Sequence, residues 1–179
     1  MTCIAAIAHK GKVWMCGDSA GSDASLSIQT RTDPKVFEKG EFLIGIAGSF
    51  RMGNLLRFKF HPPAPVEGEE EFEFICTSFL DAVRLCFIEN GYAQKENNVE
   101  VIDGLFLVGW RGCIYCIYED YQVATVADDY AAIGSGQDIA LGSLYSTKGK
   151  TPQDRLRNAL EASAKYNAGV RGPFVLKSI

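Results

Sequence analysis

The stretch that decides the fold is Met1-Thr2-Cys3-Ile4-Ala5-Ala6-Ile7-Ala8-His9-Lys10-Gly11-Lys12-Val13-Trp14-Met15-Cys16-Gly17-Asp18. It predicts two short apolar strands joined at Lys10-Gly11, a polar pair whose glycine can take the positive φ of a tight hairpin. Such a hairpin brings Thr2 beside Asp18. Threonine is small enough at position 2 to permit removal of the initiator methionine, which leaves one residue carrying a hydroxyl and a free α-amine. Nucleophile and base then share that residue.

Outward from the hairpin, Ser19 to Thr32 alternates Leu26 and Ile28 against Ser25, Ser27 and Gln29, a pattern that fits a strand pair or a flexible β segment. Lys35-Val36-Phe37 is a short strand, Glu38 to Glu41 a turn, and Phe42 to Gly48 a buried strand ending in small residues. A helix follows, with Ser49 as N-cap and Met52, Leu55 and Leu56 at helical spacing, and three prolines after His61 end it. The acidic run Glu67 to Glu71 starts a second helix with Phe72, Ile75, Phe79, Ala82 or Val83, and Cys86 on its buried face, stopping near Asn90-Gly91. Strands return at Gly104 to Trp110, Cys113 to Tyr118 and Gln122 to Val126. Ala131 to Ile133 then leads through Gly134-Ser135-Gly136 into a helix, Asp138 to Tyr145. Thr151-Pro152 opens the last helix, with Leu156, Leu160 and Ala164 inward, and Phe174 to Leu176 closes the chain as a strand.

Strand groups and helix pairs so segregated predict an α+β fold, two stacked antiparallel sheets flanked by helices. The 179 residues are the size of one domain, residues 1–179, with 47 % hydrophobic and 22 % charged residues, which excludes disordered and fibrous classes. Net charge is −4 and the cations are scattered, so no nucleic-acid partner is expected. No apolar run is long enough to span a bilayer and no secretory signal is seen, so the expectation is a cytoplasmic protein with no membrane partner. The six cysteines are expected to be reduced and mostly buried. Cys113-Ile114-Tyr115-Cys116 has CxxC spacing, but on a strand its thiols face opposite ways and no second pair completes a zinc site, so neither metal nor other cofactor is expected.

Around Thr2, the residue types that fit the chemistry are Asp18 and Lys35 as a buried carboxylate and ammonium that orient the threonine, and Gly48 as a backbone N–H donor to an oxyanion. Ser135, between two glycines, suits a hydrogen bond to the free amine. The set Thr2, Gly17-Asp18, Lys35, Ala47-Gly48 and Ile133-Gly134-Ser135-Gly136 resembles the proteasome β-subunit family, including HslV, within the N-terminal nucleophile (Ntn) hydrolases. The resemblance implies a four-layer αββα sandwich with Thr2 as nucleophile, Asp18 and Lys35 as its support, Gly48 as oxyanion donor, Ser135 beside the amine and Ile46 in an apolar specificity pocket. It also implies a threonine endopeptidase that self-associates into rings and degrades peptides or unfolded proteins, with an ATP-dependent unfoldase as a further partner of such rings. The chain departs from the family near the end of the last helix. Asn167 stands where many members carry an Asp, a supporting position without its charge, and Arg171 replaces a Ser. Those departures motivate a second reading, a catalytically silent assembly subunit, and a third is an Ntn amidase of a small substrate.

Overall fold

The computed structural model describes residues 1–22 and 27–179; Ser25 and Leu26 of the expected strand pair lie outside the described residues. The opening hairpin forms as β1 (Ile4–His9) and β2 (Lys12–Gly17), paired from Ile4↔Gly17 to His9↔Lys12. Its turn residues Lys10 and Gly11 both have positive φ, 51° and 73°, which matches the twist of the flanking strands. β3 (Ala20–Ser22) pairs with β4 (Ile28–Thr30), and β5 (Val36–Lys39) pairs with β6 (Phe42–Gly48). Since Lys39 pairs with Phe42, the turn between β5 and β6 is only Gly40-Glu41, shorter than the expected Glu38 to Glu41.

α1 (Phe50–Phe58) starts at Ser49, whose hydroxyl accepts the Met52 N–H, and Arg57 in its last turn favours the helix dipole. The second helix buries Ile75, Phe79, Val83 and Cys86 of the expected face but departs from it at Phe72. It runs as α2 (Glu71–Phe74), a π-helical turn at Ile75–Phe79 and α3 (Leu80–Glu89). The wider turn shifts the phase, so Phe74 and Phe79, five residues apart, are both buried while Phe72 is exposed. A polar hairpin, β7 (Gln94–Glu96) and β8 (Val99–Val101), lies between α3 and β9 (Gly104–Trp110). β10 (Cys113–Ile117), β11 (Val123–Thr125) and β12 (Tyr130–Ile133) follow, then α4 (Gln137–Ser146), α5 (Pro152–Tyr166) capped by Thr151, and β13 (Val175–Ser178).

Two larger antiparallel sheets result, with strand orders β12-β1-β2-β13 and β11-β10-β9-β6-β5. Alternation along each strand feeds different cores. Ile4 and Ala6, Val13 and Met15, Leu43 and Ala47, Leu107, Ile114 and Cys116 meet in one core to which both sheets contribute. The residues between them go elsewhere: Cys3, Ala5, Ile7 and Cys16 pack with Ala140, Leu144, Leu156 and Leu160 of α4 and α5. On the other sheet Phe42, Ile44, Ile46, Phe106 and Trp110 pack with Leu55, Phe74 and Phe79 from α1 and the α2–α3 helix. No helix among the described residues is long and apolar enough to cross a membrane.

The cysteines sort by the same alternation. Cys116 is buried in the core between the sheets, whereas Cys113 at the start of the same strand is exposed. Burial pushes the Cys3 thiol up to about 11 and the Cys16 thiol up to about 12, so both stay protonated near neutrality. In native protein at pH 8 a maleimide should therefore modify Cys113 first and leave Cys3 and Cys16 unlabelled until denaturant is added, read by peptide mass spectrometry.

Candidate active site

The register of the hairpin builds the site. Because Ile4 pairs with Gly17, Asp18 leaves β2 beside the residue that precedes β1, and its N–H donates to Cys3 O at 3.2 Å. The Asp18 carboxylate then collects donors from three chain segments. Oδ1 accepts from Cys3 N at 3.0 Å, and Oδ2 accepts from Ala20 N at 2.9 Å and Arg171 N at 3.4 Å. The fourth donor is the Lys35 ammonium, 2.7 Å from Oδ1. Only 2 % of the Lys35 side chain and none of the Asp18 side chain is exposed, so these hydrogen bonds replace the water that both ions have lost.

Lys35 immediately precedes β5, and its carbonyl accepts from Ile46 N at 3.0 Å, which ties it to β6. From the edge of one sheet its side chain reaches the other. Nζ lies 2.9 Å from Thr2 Oγ1 and 3.5 Å from Met1 O. Burial holds the ammonium below the ordinary lysine range, with the Asp18 carboxylate opposing that shift. Thr2 itself is 4 % exposed, and its hydroxyl accepts from Lys35 while donating to Met1 O at 2.6 Å. A cation hydrogen-bonded to Oγ1 stabilises negative charge on that oxygen, which is what a hydroxyl nucleophile needs.

Ser135 reaches Thr2 from the opposite side. β12 is antiparallel to β1 with Ile4 opposite Ile133, so the chain beyond Ile133 runs over Thr2. Gly134 has φ +90°, and a Cβ there would stand 2.9 Å from the Thr2 carbonyl carbon, so the close approach requires glycine. Gly136 N donates to Thr2 O at 3.1 Å. The Ser135 hydroxyl accepts from Thr2 N at 3.2 Å, and its one proton has two acceptors in reach, Thr2 O (3.3 Å) and Asn167 Oδ1 (3.4 Å). It does not cap α4; the N-cap is Gly136.

Thr2, Asp18, Lys35, Ser135 and Asn167 thus form one hydrogen-bonded network. Gly48 and Ile46 are on β6; Ile46 meets the network through its backbone N–H to Lys35 O, and their side-chain positions lie outside it. Gly48 is the exposed last residue of the strand, at φ +110°, and a side chain there would meet the backbone of Asp103 and Gly104. Ile46 is buried and packs against Gly53 of α1. Of the Arg171 substitution only the backbone enters the site, since the residue is exposed while its N–H serves Asp18. Sequence reasoning missed Ser163, whose buried hydroxyl donates to Gly136 O at 3.0 Å and accepts from Cys3 Sγ at 3.5 Å. The signal was a polar residue three positions after Leu160 on the buried face of α5. A pocket of about 220 Å³, lined by Gly21, Ser22, Gln29, Arg31 and Phe50 among others, adjoins the site. Ser22 accepts from the Met1 ammonium at 3.2 Å, and the Arg31 guanidinium stacks 3.8 Å from the Phe50 ring centre while paired with Asp33. A larger groove, lined by Lys59, His61, Leu85 and Glu89 among others, contains no site residue.

No protein-family model matches the sequence, and no curated protein matches it. Solved structures do match in three dimensions. Thiobacillus denitrificans BPH, in complex with epoxomicin, superposes with a TM-score of 0.82 at 17 % identity, covering 99 % of this chain and 98 % of that one. Eukaryotic HslV from Trypanosoma brucei gives 0.70 at 16 % identity, with 99 % and 98 % covered. Anbu, an ancestral beta-subunit from Yersinia bercovieri, gives 0.68 at 14 %, with 99 % and 81 % covered. From end to end, the chain carries the proteasome/HslV-like fold.

Proposed function

We propose that this chain is a threonine-type endopeptidase of the Ntn-hydrolase kind, one four-layer αββα domain over residues 1–179 that works in the cytoplasm as a subunit of a self-associated ring. The observation that carries this reading is the 2.9 Å contact of the Lys35 ammonium with Thr2 Oγ1, in a pair whose carboxylate is itself fixed by three backbone N–H groups. The three cores between alternating layers support the sandwich, and the fold shared with an epoxomicin-bound BPH and with HslV supports a proteasome-like protease.

Removal of Met1 leaves Thr2 N as a free amine and deprives Oγ1 of its present acceptor, Met1 O. The hydroxyl proton then passes to that amine, directly or through one water, as Oγ1 attacks the scissile carbonyl carbon. Lys35 holds the developing charge on Oγ1, and Gly48 N–H, at the end of β6, stabilises the oxyanion. Collapse breaks the C–N bond, the protonated amine supplies the leaving nitrogen with its proton, and water hydrolyses the acyl ester by the same steps in reverse roles. In this reading Ile46 and the Arg31–Phe50 pocket receive side chains of a peptide or unfolded protein. An ATP-dependent unfoldase feeding the ring belongs to the same reading. With Met1 present, its carbonyl occupies both Oγ1 and Lys35. The silent assembly subunit is the second reading, motivated by the uncharged amide of Asn167 beside Ser135 and by the fold shared with Anbu.

Protein purified from cells should have lost Met1 by intact mass and cleave fluorogenic peptides, while Thr2→Ala should lose at least about 10³-fold in turnover; retention of Met1, with wild type and Thr2→Ala equally inert, would sink the peptidase. Lys35→Met should abolish turnover and also destabilise the fold by about 3 kcal/mol in urea denaturation, because Asp18 is left as a buried unpaired charge. Catalysis needs the amine neutral and Lys35 charged, so kcat/KM should rise on the acid side and fall on the alkaline side. Since burial lowers Lys35, that alkaline fall should come below the ordinary lysine value of about 10.4.

A further inference from the structure

Asn167 ends α5. Its backbone has left the helix, at φ −121° and ψ 115°, and its N–H closes the last turn on Ser163 O at 2.8 Å. The side-chain amide meets two opposite demands. Nδ2 donates to Ser135 O at 2.7 Å, whereas Oδ1 accepts from Gly169 N at 2.9 Å. The partners fix the orientation, because a carbonyl can only accept and a backbone N–H can only donate. A carboxylate in this place would satisfy Gly169 but set an anionic oxygen against the Ser135 carbonyl. In this chain both partners match an amide.

The neutrality of that amide bears on Thr2 N, one hydroxyl away through Ser135. The charged and titratable groups facing Thr2 can be taken element by element. Lys35, ahead of β5, brings its ammonium to Oγ1. Asp18, at the end of β2, has both oxygens engaged by Lys35 and by backbone N–H groups. Just ahead of β1, the neighbouring Cys3 thiol is neutral near pH 7. Asp138 in the first turn of α4 and Lys165 in the last turn of α5 are exposed, as is Arg171 in the C-terminal segment. Arg31 after β4 is paired with Asp33, and Asp129 before β12 with Arg155.

We propose that Asn167 is a positioning residue that holds Ser135 on the Thr2 nitrogen through a neutral amide, leaving Lys35 as the charge that governs proton release from the Thr2 amine. The inference rests on the reading of Thr2 as an N-terminal nucleophile. In that arrangement the nearby ammonium favours the neutral amine, and among the described residues no buried carboxylate opposes it from the Ser135 side. The base is then available at lower pH than an ordinary α-amine.

The test uses the Thr2-terminal protein as wild type, Asn167→Ala and Asn167→Asp, with two readouts. One is the pH dependence of acylation of the Thr2 amine by a limiting anhydride, followed by N-terminal peptide mass spectrometry and independent of turnover. The other is the pH profile of kcat/KM on a peptide substrate. Asn167→Asp should move the amine midpoint, and with it the acid limb, up by about one pH unit. Asn167→Ala should lower turnover about tenfold by freeing the Ser135 loop, with the midpoint at the wild-type value. An Asn167→Asp midpoint equal to wild type would overturn the proposal, as would an equal shift in Asn167→Ala. A shifted amine midpoint with no turnover in any variant would uphold it and overturn the peptidase reading instead.

Discussion

The buried Asp18–Lys35 pair is the interaction on which the arrangement around Thr2 depends. Two ions without water are tolerated only if nearly every donor and acceptor is matched, and here the carboxylate accepts from three backbone N–H groups besides the ammonium. Those N–H groups come from the residue just ahead of β1, the first residue of β3 and the segment before β13, so the carboxylate is fixed by backbone gathered around the end of its own strand. The ammonium comes from the other sheet. The pair therefore joins the sheets at one end of their common core, and the same ammonium reaches Thr2.

Position follows from pairing. β1 lies between β2 and β12, so the residue just ahead of it is flanked on one side by Asp18 and on the other by the Gly134 to Gly136 turn. Gly134 lets that turn pass against the Thr2 backbone, and Ser163 and Asn167 on α5 hold it there through Gly136 O and Ser135 O. Strand pairing places the reactive residue and a helix end fixes the polar group on its nitrogen. In this way the last third of the chain bears on residue 2.

Much of this is legible in one dimension where local physics dominates. The β1–β2 turn, the Phe42–Gly48 strand, the Ser49 and Thr151 caps and the strand pattern of Gly104 to Trp110 each carry a period or a capping residue strong enough to read. The π turn at Ile75–Phe79 carries no such mark, because one extra residue per turn changes the buried face without changing composition. The hairpin of Gln94–Glu96 and Val99–Val101 is polar and mostly exposed, held by Asn97 and Asn98 at positive φ, so it shows no apolar alternation.

The sequence by itself determined the kinds of group available: a hydroxyl and a prospective amine at residue 2, a carboxylate at 18, an ammonium at 35, a serine between glycines at 135 and an amide at 167. Their types limit the chemistry wherever they lie. Only the tertiary structure decided that they meet, because the hydrogen bonds joining residues 2, 18, 35, 135 and 167 span up to 153 positions, when Arg171 N is counted. No local propensity encodes a contact of that length. It decided too that Arg171 gives Asp18 a backbone N–H while the residue itself is exposed, and that the Asn167 amide answers a carbonyl and an N–H from two different turns.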